Sequence, residues 1–111
     1  MKTTASYSSF EDLDLRIGRV LTVEVARTTK PTYRLTVDFG PEVGVKRSCG
    51  AFRSYAVDDL VGRLVVGVVN FGPKQMGPEI SEVLVLGVSD SLGRTIYLTP
   101  ESDVAPGSPI F

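Results

Sequence analysis

The sequence predicts an all-β fold built from short strands around one apolar core. Residues 33–39 alternate strictly between apolar and polar side chains, as a strand with one buried face does. Residues 64–69 and 80–88 are valine-rich runs bounded by glycine and proline, which is typical of strands rather than helices. Gly18 lies inside a further strand pattern at residues 15–25, and it indicates a bulge or sharp bend of the kind that small barrels need.

The N-terminus is expected to be flexible over residues 1–9, which are rich in serine and threonine. Ser8 is a suitable N-cap, and Glu11 and Asp12 follow it closely. This order predicts one or two helical turns with carboxylates near the positive end of the helix dipole. The remainder, residues 10–111, is expected to form one domain.

The second and third strands are predicted at residues 33–39 and 43–49, joined by a turn that contains glycine and proline. In the third strand the alternation places its valines inward and its polar residues outward. A hairpin of these two strands would then carry Arg34, Lys46 and Ser48 on one outer surface.

The second half of the chain is expected to open with a short helical turn near residues 57–60. Residues 64–69 do not alternate, so this strand must be covered on both faces, by an extension of the same chain or by a second subunit. Residues 72–78 are interpreted as a loop, and residues 94–99 as a last short strand. The proline-rich tail at 100–111 cannot be a regular central strand.

About five strands at close spacing, with a short helix between the third and the fourth, favour a five-stranded Greek-key barrel of the OB type, with terminal extensions. Ligands of that fold lie across strands two and three, between the first–second and fourth–fifth loops. In this sequence, those elements carry the cations Arg27, Lys30, Arg34, Lys46 and Lys74.

Composition argues against an enzyme. The 111 residues include no histidine and one cysteine, Cys49, which excludes internal disulfides, Cys/His zinc sites and histidine-dependent nucleophiles. The alternation of the third strand points Cys49 inward, so it is expected to be a buried residue that behaves as a small apolar side chain. No glycine-rich phosphate loop appears, so no cofactor is expected. No run has the length or character of a membrane span or secretion signal, and the expected location is the cytoplasm.

Positive charge is concentrated in the centre of the chain. The net charge is −1, yet residues 27–53 hold six cations and two carboxylates, and the remainder is therefore acidic. Such a distribution is expected when one face of a protein meets an anion. The cations of this segment are Arg27, Lys30, Arg34, Lys46, Arg47 and Arg53.

Several ordered blocks of the sequence resemble the tRNA-binding domain family and together cover nearly the whole chain from Phe10. The blocks are F-x-x-LDLRIGRV at 10–20, L-x-VDFG at 35–40, K-x-S at 46–48, VVNF-x-PK at 68–74, SEVLVLG at 81–87 and PG at 106–107. The resemblance implies an OB barrel that binds tRNA and whose extensions, including a C-terminal dimerisation segment, join two copies into a homodimer.

Carried over position by position, the resemblance implies a tRNA-facing set, and the charge distribution adds Arg53 to it. That set is Arg34, Lys46, Ser48, Arg53, Asn70, Lys74, Ser81 and Glu82. Gln75 stands where such proteins tend to carry a second cation, and Glu79 adds a negative charge nearby. Both residues are expected to weaken RNA binding.

Free-standing bacterial members of this family are described as secretion-related chaperones, which implies an alternative function. Unfolded preproteins and the export machinery would then be the partners, and an apolar groove of the dimer would hold the peptide. The apolar candidates for that groove are Phe71, Met76 and Ile80.

Overall fold

The computed structural model describes all residues from Met1 to Phe111 and confirms an all-β fold. No helix is both long enough and apolar enough to cross a membrane. The elements, in chain order, are α1 (Tyr7–Glu11), β1 (Leu15–Val25), β2 (Tyr33–Asp38), α2 (Gly40–Val43), β3 (Val45–Gly50), α3 (Val57–Leu60), β4 (Leu64–Val68), β5 (Lys74–Met76), β6 (Glu79–Ser81), β7 (Leu84–Val85), β8 (Gly87–Ser89) and β9 (Thr95–Tyr97).

Five strands form one antiparallel sheet in the order β3-β2-β1-β4-β7. The long strand β1 pairs with β4 over residues 15–19 and with β2 over residues 19–25. The two edges of the sheet approach each other where the amides of Glu82 and Val83 donate to the Arg47 carbonyl oxygen, at 2.8 and 3.3 Å. The sheet is therefore a nearly closed barrel, and the predicted five-stranded OB architecture is confirmed.

Phe39 lies at the centre of the barrel and is completely buried. Its ring packs against Gly18 of β1 and Gly67 of β4, where an added Cβ would lie 2.7 Å from a ring carbon. Gly18 is therefore needed for close packing. The predicted bulge does not lie at Gly18, since the register shift of β1 lies between Val20 and Thr22. The alternative, a sharp bend at Gly18, stays a prediction.

Both faces of β4 are covered within one chain, which is the first of the two possibilities left open by the sequence. Val65 and Gly67 face Phe39 and the core, while Leu64 and Val68 on the other face are also buried. Leu64 lines a small cavity together with residues 97 and 99–103 of the C-terminal segment. Most of the strand is therefore buried without a second subunit, while Val66 on the outer face stays half-buried.

The C-terminal tail returns to the start of β1. Gly107 N–H donates to the Ile17 carbonyl at 2.7 Å, and Ile110 N–H donates to the Leu15 carbonyl at 2.9 Å. Arg16 fixes this arrangement, since its guanidinium donates to the Gly107 carbonyl at 3.1 Å and to Asp14 at 2.6 Å. The tail thus pairs locally with β1, through a single bridge rather than a full strand.

The predicted facing of β3 was wrong. Ser48 lies opposite Leu35 and Lys46 lies opposite Val37, so both share the face of the core residues. Ser48 is 2% exposed, whereas Val45 is 55% exposed. The predicted outer surface of Arg34, Lys46 and Ser48 therefore does not form, and Arg34 shares its face with Cys49 and Arg47 instead. The helical turn α2 sets this register, because it pairs Val45 with the outward-facing Asp38.

The segment interpreted as a loop at residues 72–78 contains a strand. β5 and β6 form a two-residue hairpin in which Met76 pairs with Glu79. Gly77 takes a positive φ of 60° at the first turn position, as type II′ hairpins require. The loop side chains are therefore held on a defined hairpin.

The N-terminal helix is present, but its predicted cap was wrong. Ser6, not Ser8, is the N-cap residue, and Glu11 is the last helical residue. The helix ends there because the Asn70 side chain binds the backbone of the next residues, accepting from Asp14 N–H and donating to the Asp12 carbonyl, both at 2.8 Å. The carboxylates therefore lie at the C-terminal end of the helix.

Candidate nucleic-acid interface

A basic groove of about 550 Å³ lies between the loop that joins β1 to β2 and the β5–β6 hairpin. Arg27 and Lys30 line it from the loop, and Lys74 lines it from the hairpin. None of these three cations forms an ion pair, and no carboxylate lines the groove. The other lining residues are Thr28, Thr29, Thr32, Cys49, Gly50, Ala51, Gln75, Met76, Gly77 and Pro78.

The loop of the basic groove is ordered by its own hydrogen bonds. The Thr28 hydroxyl donates to the Lys30 carbonyl at 2.6 Å and lies 2.5 Å from the Thr32 hydroxyl. Ala26 N–H donates to the Thr32 carbonyl at 3.1 Å and closes the loop. Arg27 and Lys30 stay exposed. The two cations are therefore presented to solvent from a loop of defined shape.

An apolar hollow of about 380 Å³ adjoins the basic groove. Its lining residues are Cys49, Phe71, Gly72, Lys74, Met76, Ser81, Glu82, Val83 and Leu84. Phe71 and Leu84 are each 48% exposed, so a ligand can reach both side chains. The hollow and the groove share Cys49, Lys74 and Met76, and they therefore form one continuous surface.

Arg34 forms a buried ion pair beneath the hairpin. Its guanidinium donates to both carboxylate oxygens of Glu79, at 2.7 and 3.0 Å, and to Glu24 at 3.2 Å. The Glu79 side chain is 3% exposed. Attraction to Glu79 raises the pKa of Arg34 above its ordinary value. Arg34 is therefore neutralised by carboxylates, and it links β2 to the β5–β6 hairpin.

Ser81 and Glu82 join the end of the hairpin to β3. The Ser81 hydroxyl accepts from Cys49 N–H at 3.1 Å and donates to the Val83 carbonyl at 3.0 Å. One oxygen of Glu82 accepts from Arg47 N–H at 3.0 Å. The Ser81 hydroxyl is thus engaged on both sides, whereas Glu82 keeps a second carboxylate oxygen and a partly exposed side chain.

The structure therefore brings Lys74, Ser81 and Glu82 together, and it separates them from the other predicted tRNA-facing residues. Asn70 is engaged at both ends of its amide with the backbone near α1. Arg53 lies over the ring of Tyr33, 5.3 Å from its centroid. Lys46, Ser48, Arg53 and Asn70 do not line the groove or the hollow. Of the apolar candidates, Phe71 and Met76 line the hollow, whereas Ile80 does not.

Cys49 is the residue that sequence reasoning missed, because it lines both the groove and the hollow. The prediction that Cys49 points inward was wrong, because the register of β3 places Cys49, like Val45, on the outer face of the strand. Burial, followed by the nearby Glu79 carboxylate, raises the pKa of the Cys49 thiol, so the group is a neutral thiol near neutral pH. The lining threonines were not predicted either, since their hydroxyls carry no sequence signal beyond a polar loop.

The model of the tRNA binding domain family matches residues 15–109. The chain belongs to the tRNA-binding domain family. Among its relatives, the methionine–tRNA ligase of Archaeoglobus fulgidus is 37% identical over 108 residues, which cover 96% of this chain and 16% of that enzyme. The corresponding ligase of Chloroherpeton thalassium is 34% identical over 110 residues, with 99% and 16% covered. The chain thus spans about a sixth of the length of these relatives.

Among solved structures, CsaA from Bacillus anthracis, described as a chaperone, superposes with a TM-score of 0.91 at 39% identity, covering 98% of this chain and all of that one. The CsaA chaperone protein from Picrophilus torridus superposes with a TM-score of 0.92 at 37% identity, covering 97% and 100%. The family resemblance found in the sequence is thereby confirmed. The chain is thus a tRNA-binding domain with CsaA-like architecture.

Proposed function

We propose that this chain binds tRNA in the basic groove. One observation carries the proposal: Arg27, Lys30 and Lys74 line the groove without ion pairs and without a carboxylate among the lining residues. This is the position between strand-joining loops at which OB barrels bind oligonucleotides. Membership of the tRNA-binding domain family supports tRNA as the ligand, and a tRNA ligand would place the protein in the cytoplasm.

The chemistry of the groove favours recognition of shape over sequence. Arginine and lysine bind phosphates and release counterions, which supplies affinity without reading bases. The exposed hydroxyl of Thr29, which lines the groove, offers a hydrogen bond to a 2′-hydroxyl group, the feature that distinguishes RNA from DNA. The groove is therefore suited to the folded backbone of tRNA.

We also propose that two copies associate into a homodimer. Apolar side chains remain exposed in the C-terminal part of the chain, including Val88 at 52%, Leu92 at 74% and Phe111 at 107%. Burial of such surface between two copies is favourable. Light scattering on the free protein measures the association directly, and a mass of two chains is expected.

The second candidate function is the binding of unfolded preproteins during export. The apolar hollow favours it, because Phe71 and Met76 offer an accessible surface for varied apolar side chains. The description of the CsaA structures as chaperones also supports it. An apolar ligand would bind with little dependence on salt, which separates this function from tRNA binding.

The test is a titration of the full chain with total tRNA at several salt concentrations. The variants are Arg27→Ala, Lys30→Ala and Lys74→Ala, and the control is Arg63→Ala, an exposed cation outside the groove. We expect binding to weaken steeply with salt. Each groove variant should reduce the slope of the logarithmic salt plot by about one, and Arg63→Ala should leave it unchanged.

Two results would contradict the proposal. One is the absence of tRNA binding even at low salt. The other is binding whose affinity and salt dependence change with Arg63→Ala as much as with the groove variants, which would mean that diffuse charge, not the groove, holds the RNA. Salt-independent capture of an unfolded protein alongside the first result would favour the export function.

A further inference from the structure

We propose that the apolar hollow binds one unpaired base of the RNA whose phosphates lie in the basic groove. The inference rests on the proposed function and adds a specificity site to it. The hollow would take a flipped or single-stranded nucleotide with an exocyclic amino group, cytosine in preference to uracil. Three features of the structure support this assignment.

The first feature is continuity between the hollow and the groove. Lys74 lines both, as do Cys49 and Met76. A phosphate bound by Lys74 at this boundary would place the attached nucleoside beside the hollow. The strand would thus keep its charged backbone on the cations, and its base would enter the apolar side.

The second feature is the presence of an accessible aromatic ring. Phe71 is 48% exposed and stands on the wall of the hollow, with Met76 and Leu84 as apolar neighbours. Aromatic side chains on OB barrels stack on bases, and such stacking does not depend on which base is present. Phe71 would therefore supply affinity, and discrimination must come from another group.

The third feature is the carboxylate of Glu82. One of its oxygens accepts from Arg47 N–H at 3.0 Å, which fixes the side chain, and the Arg47 guanidinium is 3.9 Å away. The second oxygen has no hydrogen-bond partner within the chain. A carboxylate accepts from the amino group of cytosine, and it repels the O4 carbonyl oxygen that uracil carries at the same ring position.

The experiment compares oligo(C) and oligo(U) of equal length, together with total tRNA, for binding to the full chain. We expect oligo(C) to bind more tightly than oligo(U). Phe71→Ala should weaken the binding of oligo(C) and of tRNA by about fivefold or more, without changing the salt slope. Phe71→Tyr, which keeps an aromatic ring, should restore the affinity.

Glu82→Gln should abolish the preference for oligo(C), because an amide both donates and accepts and therefore suits either base. The matched control is Val61→Ala, which trims an exposed apolar side chain outside the hollow and the groove and should change neither the affinity nor the preference for oligo(C). Phe71 is half exposed, so its truncation is expected to leave the fold intact, and thermal unfolding of each variant checks this.

Distinct results separate the two proposals. If tRNA binds through the groove cations but Phe71→Ala has no effect, the base site is overturned while the proposed function stands. If Phe71→Ala weakens binding of an apolar peptide only, the hollow belongs to a peptide. A lack of any RNA binding would contradict the proposed function itself, and the base site with it.

Discussion

Asn70 and Lys74 lie four residues apart on one segment, yet the structure gives them different roles. The Asn70 amide holds the end of β4 to the backbone that follows α1, through hydrogen bonds with Asp14 N–H and the Asp12 carbonyl. Lys74 has no ion-pair partner and lines both the groove and the hollow. We therefore propose that Asn70 contributes to stability and Lys74 to tRNA binding.

Substitution of Asn70 by alanine tests this division. The loss of two hydrogen bonds at an exposed site should lower the free energy of unfolding by about 1–2 kcal/mol, without changing the affinity for tRNA. Lys74→Ala is the reciprocal variant and should weaken tRNA binding without changing stability. Denaturant titration measures the stability of both variants, and RNA titration measures their affinity. A loss of RNA affinity in Asn70→Ala, under conditions where that variant is fully folded, would contradict the proposal.

At the scale of elements, the β5–β6 hairpin is held by the Arg34–Glu79 pair. Glu79 is the buried residue of the hairpin that faces β2, and its carboxylate accepts two hydrogen bonds from Arg34. The sequence suggested that Glu79 weakens RNA binding by its charge. The structure shows that this charge is compensated by Arg34, so the pair is better understood as positioning Lys74 at the groove.

Glu79 either weakens RNA binding by its charge or positions the hairpin through Arg34, and the two interpretations predict opposite effects of Glu79→Gln. Removal of a negative charge should strengthen tRNA binding if only charge matters, whereas we expect severalfold weaker binding because the hairpin loses its fixed position. Stability should fall by about 1–3 kcal/mol, less than for a fully buried pair because Arg34 is partly exposed. RNA and denaturant titrations provide both measurements.

The matched control for this substitution is Glu24→Gln. It removes the other carboxylate that contacts Arg34, but one that is 61% exposed, so its effect on stability should be within about 0.5 kcal/mol. If Glu79→Gln and Glu24→Gln both strengthened tRNA binding equally, the positioning role of the buried pair would be wrong.

The sequence predicted the elements better than their orientation. The alternation of β2 predicted correctly which side chains face the core, because its apolar positions are buried and its polar positions are half-buried. In β3 the same rule failed, since Val45 is exposed and Ser48 is buried. The register there depends on the turn α2, with positive φ at Gly40 and Gly44, and alternation carries no information about that turn.

At the scale of the whole molecule, the barrel places together groups that are distant in sequence. Arg27 and Lys30 meet Lys74 only because β1 pairs with both β2 and β4 and the sheet nearly closes. The fold class and family could be predicted from strand spacing and ordered motifs. The site could be predicted only in part, because pairs such as Arg34–Glu79, 45 residues apart, leave no local pattern.

Charge at the molecular scale agrees with this arrangement. The chain carries a net charge of −1, so the protein as a whole does not attract RNA. In the proposed function, the attraction comes from the groove, where three cations stand without carboxylates. Binding should therefore be confined to one face of the barrel.

Hydrogen exchange of the full chain, measured with and without total tRNA, tests this central claim most directly. We expect tRNA to slow amide exchange in the loop at residues 26–32 and in the hairpin at residues 72–81. Residues 57–63 and 97–103, which line neither the groove nor the hollow, should be unchanged. Protection at 57–63 and 97–103, with unchanged exchange in the loop and hairpin, would contradict the basic groove as the site of tRNA binding.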